Sequence, residues 1–330
     1  MAGLKSVSPR IRRLARIGAG VIVVVAIVAT VGMGPFIRGV TSVSPLSVVV
    51  ATLLTGIATA SAAWRWRVVA AGLGLRLSWR GALAAYYRSQ FLNTVLPGGV
   101  VGDIHRAYRH GRRSGDVGLA ARAVVTERVA GQLVQLALAT TILASLGLTS
   151  PFRGIAWVIG GVVLVVVVVV VIFATAARRR RLLGRELRML RELFRDPARS
   201  VQIVASSILV VASHTTLFVV ACLVTGVHAS ITELVALALI ALCASAVPIN
   251  VGGWGPREGA AASAFALVGL GAGAGVAAST TFGLLAAIAL LPGAVVLFVN
   301  RIQVARRRRL PSTASEEPIT ERQIEEKVPA

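Results

Sequence analysis

Cysteine is nearly absent from this chain: Cys222 and Cys243 are the only two, and both lie in apolar stretches. That excludes a disulfide scaffold and a cysteine-rich zinc site. No G-x-x-x-x-G-K-[ST] sequence occurs, so a nucleotide-driven step within the chain is not expected, and neither metal nor other cofactor is implied. Acids are scarce, 13 Asp and Glu against 35 Lys and Arg, for a formal net charge of +22. Such an excess can mark a nucleic-acid partner, but these arginines come in short clusters between apolar runs, where they read as membrane-topology signals.

What fills the chain is apolar sequence. Hydrophobic residues make up 56% of it, mean hydropathy is +0.80, and the run from Gly161 to Phe173 is almost entirely valine. An all-α polytopic membrane protein follows. Six segments are long enough to cross a roughly 30 Å core at about 1.5 Å per residue, near 17–37, 46–63, 121–147, 154–177, 201–225 and 275–299. The first follows a basic tail, yet it is too long for a signal peptide and lacks a small-residue cleavage site. Basic clusters at 1–16, 64–80, 103–122, 178–199 and 301–309 hold 28 of the Lys and Arg. The positive-inside rule then puts both termini in the cytoplasm of a cell-membrane protein and requires an even number of crossings. The expected division is a basic tail 1–16, a membrane domain 17–309 and a polar, acidic tail 310–330.

Two further apolar pieces carry Pro-Gly breaks followed by an arginine and a carboxylate. They are NTVLPGGVVGDIHR (Asn93 to Arg106), with Pro97, Gly98, Gly99 and Gly102, and VPINVGGWGPREG (Val247 to Gly259), with Pro248, Gly252, Gly253 and Gly255. In hydrocarbon an unpaired backbone N–H or C=O costs several kcal/mol, so broken helix persists only where protein or a water-filled cavity covers it. Gly81–Gly102 has basic residues on both flanks and is expected to be a re-entrant hairpin turning near Asn93–Gly99. Ile231–Leu270 has none and is expected to dip in from the other side, turning near Pro248–Gly255. Each hairpin sits between two spans of opposite orientation, the layout of an inverted-topology repeat whose binding site lies near the midplane.

Ionisable residues inside the apolar region are few, and such residues are functional candidates by default. Asp103, Asp116, Glu127, Glu233 and Glu258 are the acids outside the 178–199 linker and the C-terminal tail. Glu127 and Arg128 are adjacent and so lie on different helix faces, which gives each a partner elsewhere. Glu127 is expected to meet a basic residue from a hairpin, leaving another arginine for an anionic ligand. Arginine suits that task because its planar fork binds phosphate bidentately and keeps its charge. Arg106, Arg128 and Arg257 are the candidates, with Arg88 a fourth, and Asn93 and Asn250 can add amide donors.

N-x-x-L-P-G-G-x-x-G-D-x-x-R at Asn93–Arg106, V-x-x-E-R-x-x-G at Val124–Gly131 and P-x-N-x-G-G-x-G-x-R-E at Pro248–Glu258, taken together, resemble the flippase-like membrane domain of lysylphosphatidylglycerol synthases. The resemblance reaches to about Arg309. It implies a multi-helix inner-membrane protein associated with moving lipids or lipid-linked sugars between leaflets. It favours Asn93, Pro97, Gly102, Asp103, Arg106, Glu127, Arg128, Pro248, Gly252, Gly253, Gly255 and Glu258. Bifunctional members add a soluble aminoacyl-transferase domain; LPSTASEEPITERQIEEKVPA after Arg309 is too short and polar to form one, so lipid aminoacylation is not expected.

The expected partner is an anionic membrane lipid or a polyprenyl-phosphate-linked substrate. Two other readings compete with transport: a membrane enzyme processing polyprenyl phosphate, and a scaffold for a lipid-modifying enzyme. The enzyme reading lacks a serine at either turn, and His105, His110 and Asp103 lack the spacing of a helical metal site. His214, alone on a span, reads as a packing residue. The linker 178–200 alternates leucines with arginines and reads as an amphipathic helix on the anionic leaflet.

Overall fold

Ser44 and Asp196 start two matched helices by the same device. Each is an N-cap followed by proline at the first helical position, where the missing N–H is no loss. The helices that follow, α2 (Pro45–Gly72) and α6 (Pro197–Val224), have 28 residues each. Both end the same way: Gly74 (φ 81°) and Gly226 (φ 77°) turn left-handed, and the next residues, Leu75 and Val227, donate back to Ala70 and Cys222. These are Schellman closures, which satisfy otherwise orphaned carbonyls. Four residues after each glycine a serine, Ser78 or Ser230, caps the next helix.

The computed structural model describes residues 25, 27–96, 99–145, 189, 191–246 and 255–299, and helix is the only regular element among them. A short α1 (Gly34–Thr41) precedes α2. The first half continues with α3 (Trp79–Val95), α4 (Val101–Ser114) and α5 (Val117–Ser145). The second continues from α6 with α7 (Ile231–Ala244), α8 (Pro256–Leu267) and α9 (Ala272–Ala289), which resumes after a turn at Leu290 so that Ala272–Val299 forms one apolar helix. Each half is thus a long helix, a pair of short ones and a long helix. Within each pair the short helices pack on one another, α3 on α4 and α7 on α8.

Three helices, Pro45–Gly72, Pro197–Val224 and Ala272–Val299, are long and apolar enough to cross a membrane. They contain the expected spans 46–63 and 275–299, and 201–225 up to its last residue, Thr225, which is the C-cap of α6. Residues 121–145 of the expected span 121–147 lie in α5, whose 29 residues match a crossing in length while Arg122, Glu127 and Arg128 interrupt its apolar character. The expected span 17–37 is not one continuous helix: the chain breaks at Gly32 (φ 79°) and resumes in α1 at Gly34. The span 154–177 and most of the 178–200 linker lie outside the described residues. Of that linker, residues 191–195 are helical and Leu193 is buried against Gly72.

Side-chain contacts fix the relative direction of the two long helices. Arg65 meets Ser207, Val69 and Ala70 cluster with Ile203, and Gly72 sits against Arg199. The numbers rise on α2 as they fall on α6, so the helices run antiparallel. Around this spine α6, α7, α8 and α9 bury Leu217, Phe218, Phe265, Phe282 and Leu285. Gly102 closes the α3–α4 pair, because any Cβ there would collide with the Ser89 carbonyl. Small residues let backbones approach where lipid supplies no hydrophobic drive.

Candidate functional site

Glu127 of α5 is fully buried and accepts from four donors. Arg65 Nε and Nη2 reach its Oε1 at 2.9 and 2.6 Å, and the Tyr86 hydroxyl donates to the same oxygen at 3.0 Å. Arg106 Nη2 reaches Oε2 at 3.0 Å. Burying a carboxylate is costly unless charge and hydrogen bonds both compensate it, and here both do. Arg106 also donates to Asp103 at 3.1 Å and lies between the rings of Trp66 and Tyr86, 4.5 and 4.3 Å from their centroids. Its Nε and Nη1 have no hydrogen-bond acceptor, so the aromatic faces take the place of polar partners.

The break between α3 and α4 is tied from its own residues. Asn93 accepts the Gly102 N–H at 2.7 Å and donates to Asp103 at 3.1 Å, and Ser89 donates to the same carboxylate at 3.1 Å. Arg128 then reaches Asp103 across the helix pair at 2.7 Å. Glu127 and Arg128 therefore pair with different elements, as their adjacency on one helix requires, and Glu127 meets Arg106 of the first hairpin.

At the second break Arg257 and Glu258, also adjacent, pair with each other. Arg257 donates to Glu258 Oε1 at 3.0 and 2.6 Å and to Ser279 at 2.9 Å, with its guanidinium 5.0 Å from the Phe282 centroid. Glu258 is free to turn this way because it sits in the first turn of α8, where its other oxygen accepts the Gly255 N–H at 2.7 Å. Two glycines make room for the arginines. A Cβ on Gly131 would stand 2.7 Å from the Arg65 guanidinium, and one on Gly283 would stand 2.5 Å from that of Arg257.

Both clusters border one cavity of about 330 Å³. Its wall is drawn from α2, both helical hairpins, α5, α6 and α9, and it carries Arg65, Arg128 and Arg257. Among the described residues, four arginines (65, 106, 128 and 257) stand against three carboxylates (103, 127 and 258), a surplus of one positive charge. The carboxylates are turned away: Asp103 has 12% of its side chain exposed against 46% for Arg128. Polar but uncharged groups complete the wall, among them Gln90, Gln132, Gln135 and His214. A larger hollow of about 550 Å³ at Trp64, Arg67 and Arg76 touches neither cluster.

Of the residues singled out in the sequence, Asn93, Gly99, Arg128 and Arg257 line the cavity. Asp103, Arg106, Glu127 and Glu258 lie behind the wall and hold the arginines in place. Arg106 is 1% exposed and is not in the cavity lining, whereas Arg65 is. Arg88 does not belong to the site either. The lining positions of α3 are 86, 90, 93 and 94, one helical face, and residue 88 falls opposite it, in the field of Arg109 and Arg113. Pro97, Gly98, Pro248, Asn250, Gly252 and Gly253 lie outside the described residues.

Arg65, Tyr86, the three glutamines and His214 were not anticipated as site residues. Arg65 looked like an interfacial charge because it follows an apolar run; the sign against that is the absence of any helix breaker before Gly72, which keeps it inside α2. Neutral polar residues on a long helix carry no comparable signal.

Helical halves around a buried cluster of arginines and carboxylates define a multi-pass membrane protein with a polar interior. Residues 13–319 match the family described as the lysylphosphatidylglycerol synthase TM region, and the chain belongs to that family. No curated protein and no solved structure matches it.

Proposed function

We propose that the chain binds the head group of an anionic lipid or lipid-linked sugar in the central cavity and moves it between the leaflets of the cell membrane, acting as a transporter and not as an enzyme. The observation that carries this reading is the surplus guanidinium charge on the wall of a cavity lined by both hairpins. A net positive charge at membrane depth is costly, and a phosphate would balance it.

Two features support hairpins that enter from opposite sides without crossing. Helices α4, α7 and α8 have 14, 14 and 12 residues, about 18 to 21 Å at 1.5 Å per residue, short of a roughly 30 Å core. The antiparallel α2 and α6, each leading into its hairpin through the same Gly-Ser connection, are what an inverted repeat requires. With both termini cytoplasmic, the head group would ride in the cavity while the tails stay in lipid, and rocking of one half against the other would change the open leaflet.

Coupling to protons through Glu127 or Glu258 is disfavoured, since each is held by arginine and by further donors. The head group instead competes with Asp103 for Arg128. The test is leaflet exchange in proteoliposomes carrying fluorescent phosphatidylglycerol or a fluorescent prenyl-linked sugar. Exchange that is lost in Arg128→Gln supports transport. Inorganic phosphate release from polyprenyl pyrophosphate would favour an enzyme, and neither activity together with a co-purifying synthase would favour a scaffold.

A further inference from the structure

Four arginines are buried among the described residues, Arg65, Arg88, Arg106 and Arg257, and three of them have a carboxylate within 3.1 Å. Among those residues Arg88 has none. It is 6% exposed, its Nε is buried without a hydrogen-bond partner, and the charges that act on it are Arg109 and Arg113, both of its own sign. The acids of this half are committed elsewhere: Asp103 to Arg106 and Arg128, Glu127 to Arg65 and Arg106, and Asp116 to the Leu119 N–H at the start of α5.

Two helices bring these cations together. Arg88 stands on the face of α3 turned away from the central cavity, and His105, Arg109 and Arg113 follow one another at spacings of four on α4, one stripe of that helix. The buried Asp103, Arg106 and His110 occupy a different face of α4. The stripe opens from depth toward solvent, with His105 and Arg109 half-buried and Arg113 exposed. His105 lies in the field of Arg88 and Arg109, and its Nδ1 is buried with no hydrogen-bond partner.

A buried guanidinium with like charges beside it and no acid is a costly arrangement, and an anion seated between α3 and α4 removes the cost. Guanidinium forks suit phosphate oxygens, and the imidazole adds a nitrogen that donates when protonated. The number of cations sets the charge of the ligand. A phosphodiester brings one negative charge, whereas a phosphomonoester brings about 1.5 to 2 at neutral pH.

We infer that Arg88, His105, Arg109 and Arg113 form a second anion site, for a phosphomonoester, on the side of the α3–α4 pair away from the central cavity and independent of what that cavity carries. The phosphate comes from a soluble ion or from a lipid head group such as that of phosphatidic acid, and in either case it ties α3 to α4.

The purified full chain, in detergent and phosphate-free buffer, is titrated with inorganic phosphate, with dioctanoyl phosphatidic acid and, as the diester control, with dioctanoyl phosphatidylglycerol. Binding is read from the shift in thermal midpoint. Arg88→Met decides, because the site gives it two effects of opposite sense. Without ligand its midpoint equals or exceeds that of the wild type, since an unpaired buried charge has gone, and its affinity for the phosphomonoester falls about ten- to a hundredfold. Arg113→Gln, exposed and on the other helix, weakens the same response severalfold, so a folding defect in Arg88→Met does not decide the result. Arg128→Gln, at the central cavity, leaves the response in place. A response to phosphatidic acid alone assigns the phosphate to a lipid, and a response to inorganic phosphate as well assigns the site to the phosphate group itself. A response that Arg88→Met and Arg113→Gln both keep overturns the site. So does one lost in Arg128→Gln instead, which places the phosphate in the central cavity and leaves the transport reading standing. No response of the wild type to either phosphomonoester also overturns the site.

Discussion

Arg128 and Asp103 close a 2.7 Å ion pair whose partners differ in exposure, the Arg128 side chain 46% exposed and that of Asp103 12%, and of the two Arg128 lines the cavity. The cation is thereby presented and the anion withdrawn. The same pair ties α5 to the first turn of α4, so the site and the hairpin break share one bond.

The two partners should respond in opposite directions. Arg128→Gln removes the exposed charge and is expected to weaken binding of an anionic short-chain lipid by roughly ten- to a hundredfold, the range of a charge-assisted hydrogen-bonded contact. Asp103→Asn removes the competing charge and is expected to strengthen binding while lowering thermal stability, because Ser89, Asn93 and Arg106 share a carboxylate of which the amide keeps one acceptor oxygen and no charge. Titration and melting of the two variants side by side check both signs.

Glu127→Gln should be among the most destabilising single changes in the protein. It leaves Arg65 and Arg106 buried without their common carboxylate, a loss of about 3 to 5 kcal/mol by comparison with other broken buried pairs. Melting in a mild detergent measures it. A midpoint close to wild type would show that the cluster is more hydrated than its burial indicates.

Gly131→Ala and Gly102→Ala look alike in sequence and should differ in effect. At Gly131 the new methyl meets the end of the Arg65 side chain, which can shift, so the expected result is an altered cavity with a modest stability cost of about 1 to 3 kcal/mol. At Gly102 it meets the Ser89 carbonyl, which is backbone and cannot yield, so α3 and α4 must separate. Expression level and midpoint together distinguish the two.

Thr94 and Ser245 flank the two breaks and both line the cavity. In a chain with Cys222 and Cys243 replaced, cysteines at these positions should be reached together from whichever side the cavity is open to, as measured with a membrane-impermeant thiol reagent in sealed vesicles, and a head-group ligand should protect both. Access to one and not the other under every condition would contradict a shared central cavity.

The breaks were legible in the sequence because proline, paired glycine and charge coincide twice in otherwise apolar runs; α7 and α8 fall within the expected 231–270, while the first pair runs past the expected 81–102, since α4 carries the arginines that were read as its flank. Asp103, Glu127 and Arg128 were legible because an acid in such a region has to be paired. Arg65 was hidden by its position: RWR after an apolar run has the composition of an interfacial cluster, and only the uninterrupted 28-residue α2 carries it inside. Arg65 and Arg106 were both counted in the basic clusters that set the expected orientation, yet both are buried in ion pairs. Arg88 was misjudged for a geometric reason, two residues off the lining face of its helix. The expected helix 17–37 failed at Gly32, where a left-handed turn is possible without cost.

The most direct test is a structure of the full chain determined by electron cryo-microscopy with phosphatidylglycerol added. The account predicts head-group density in the cavity between the two hairpins, its phosphate within hydrogen-bonding distance of Arg128. Lipid ordered only on the outer surface, with water filling the cavity and the Arg128–Asp103 pair unchanged, would contradict it.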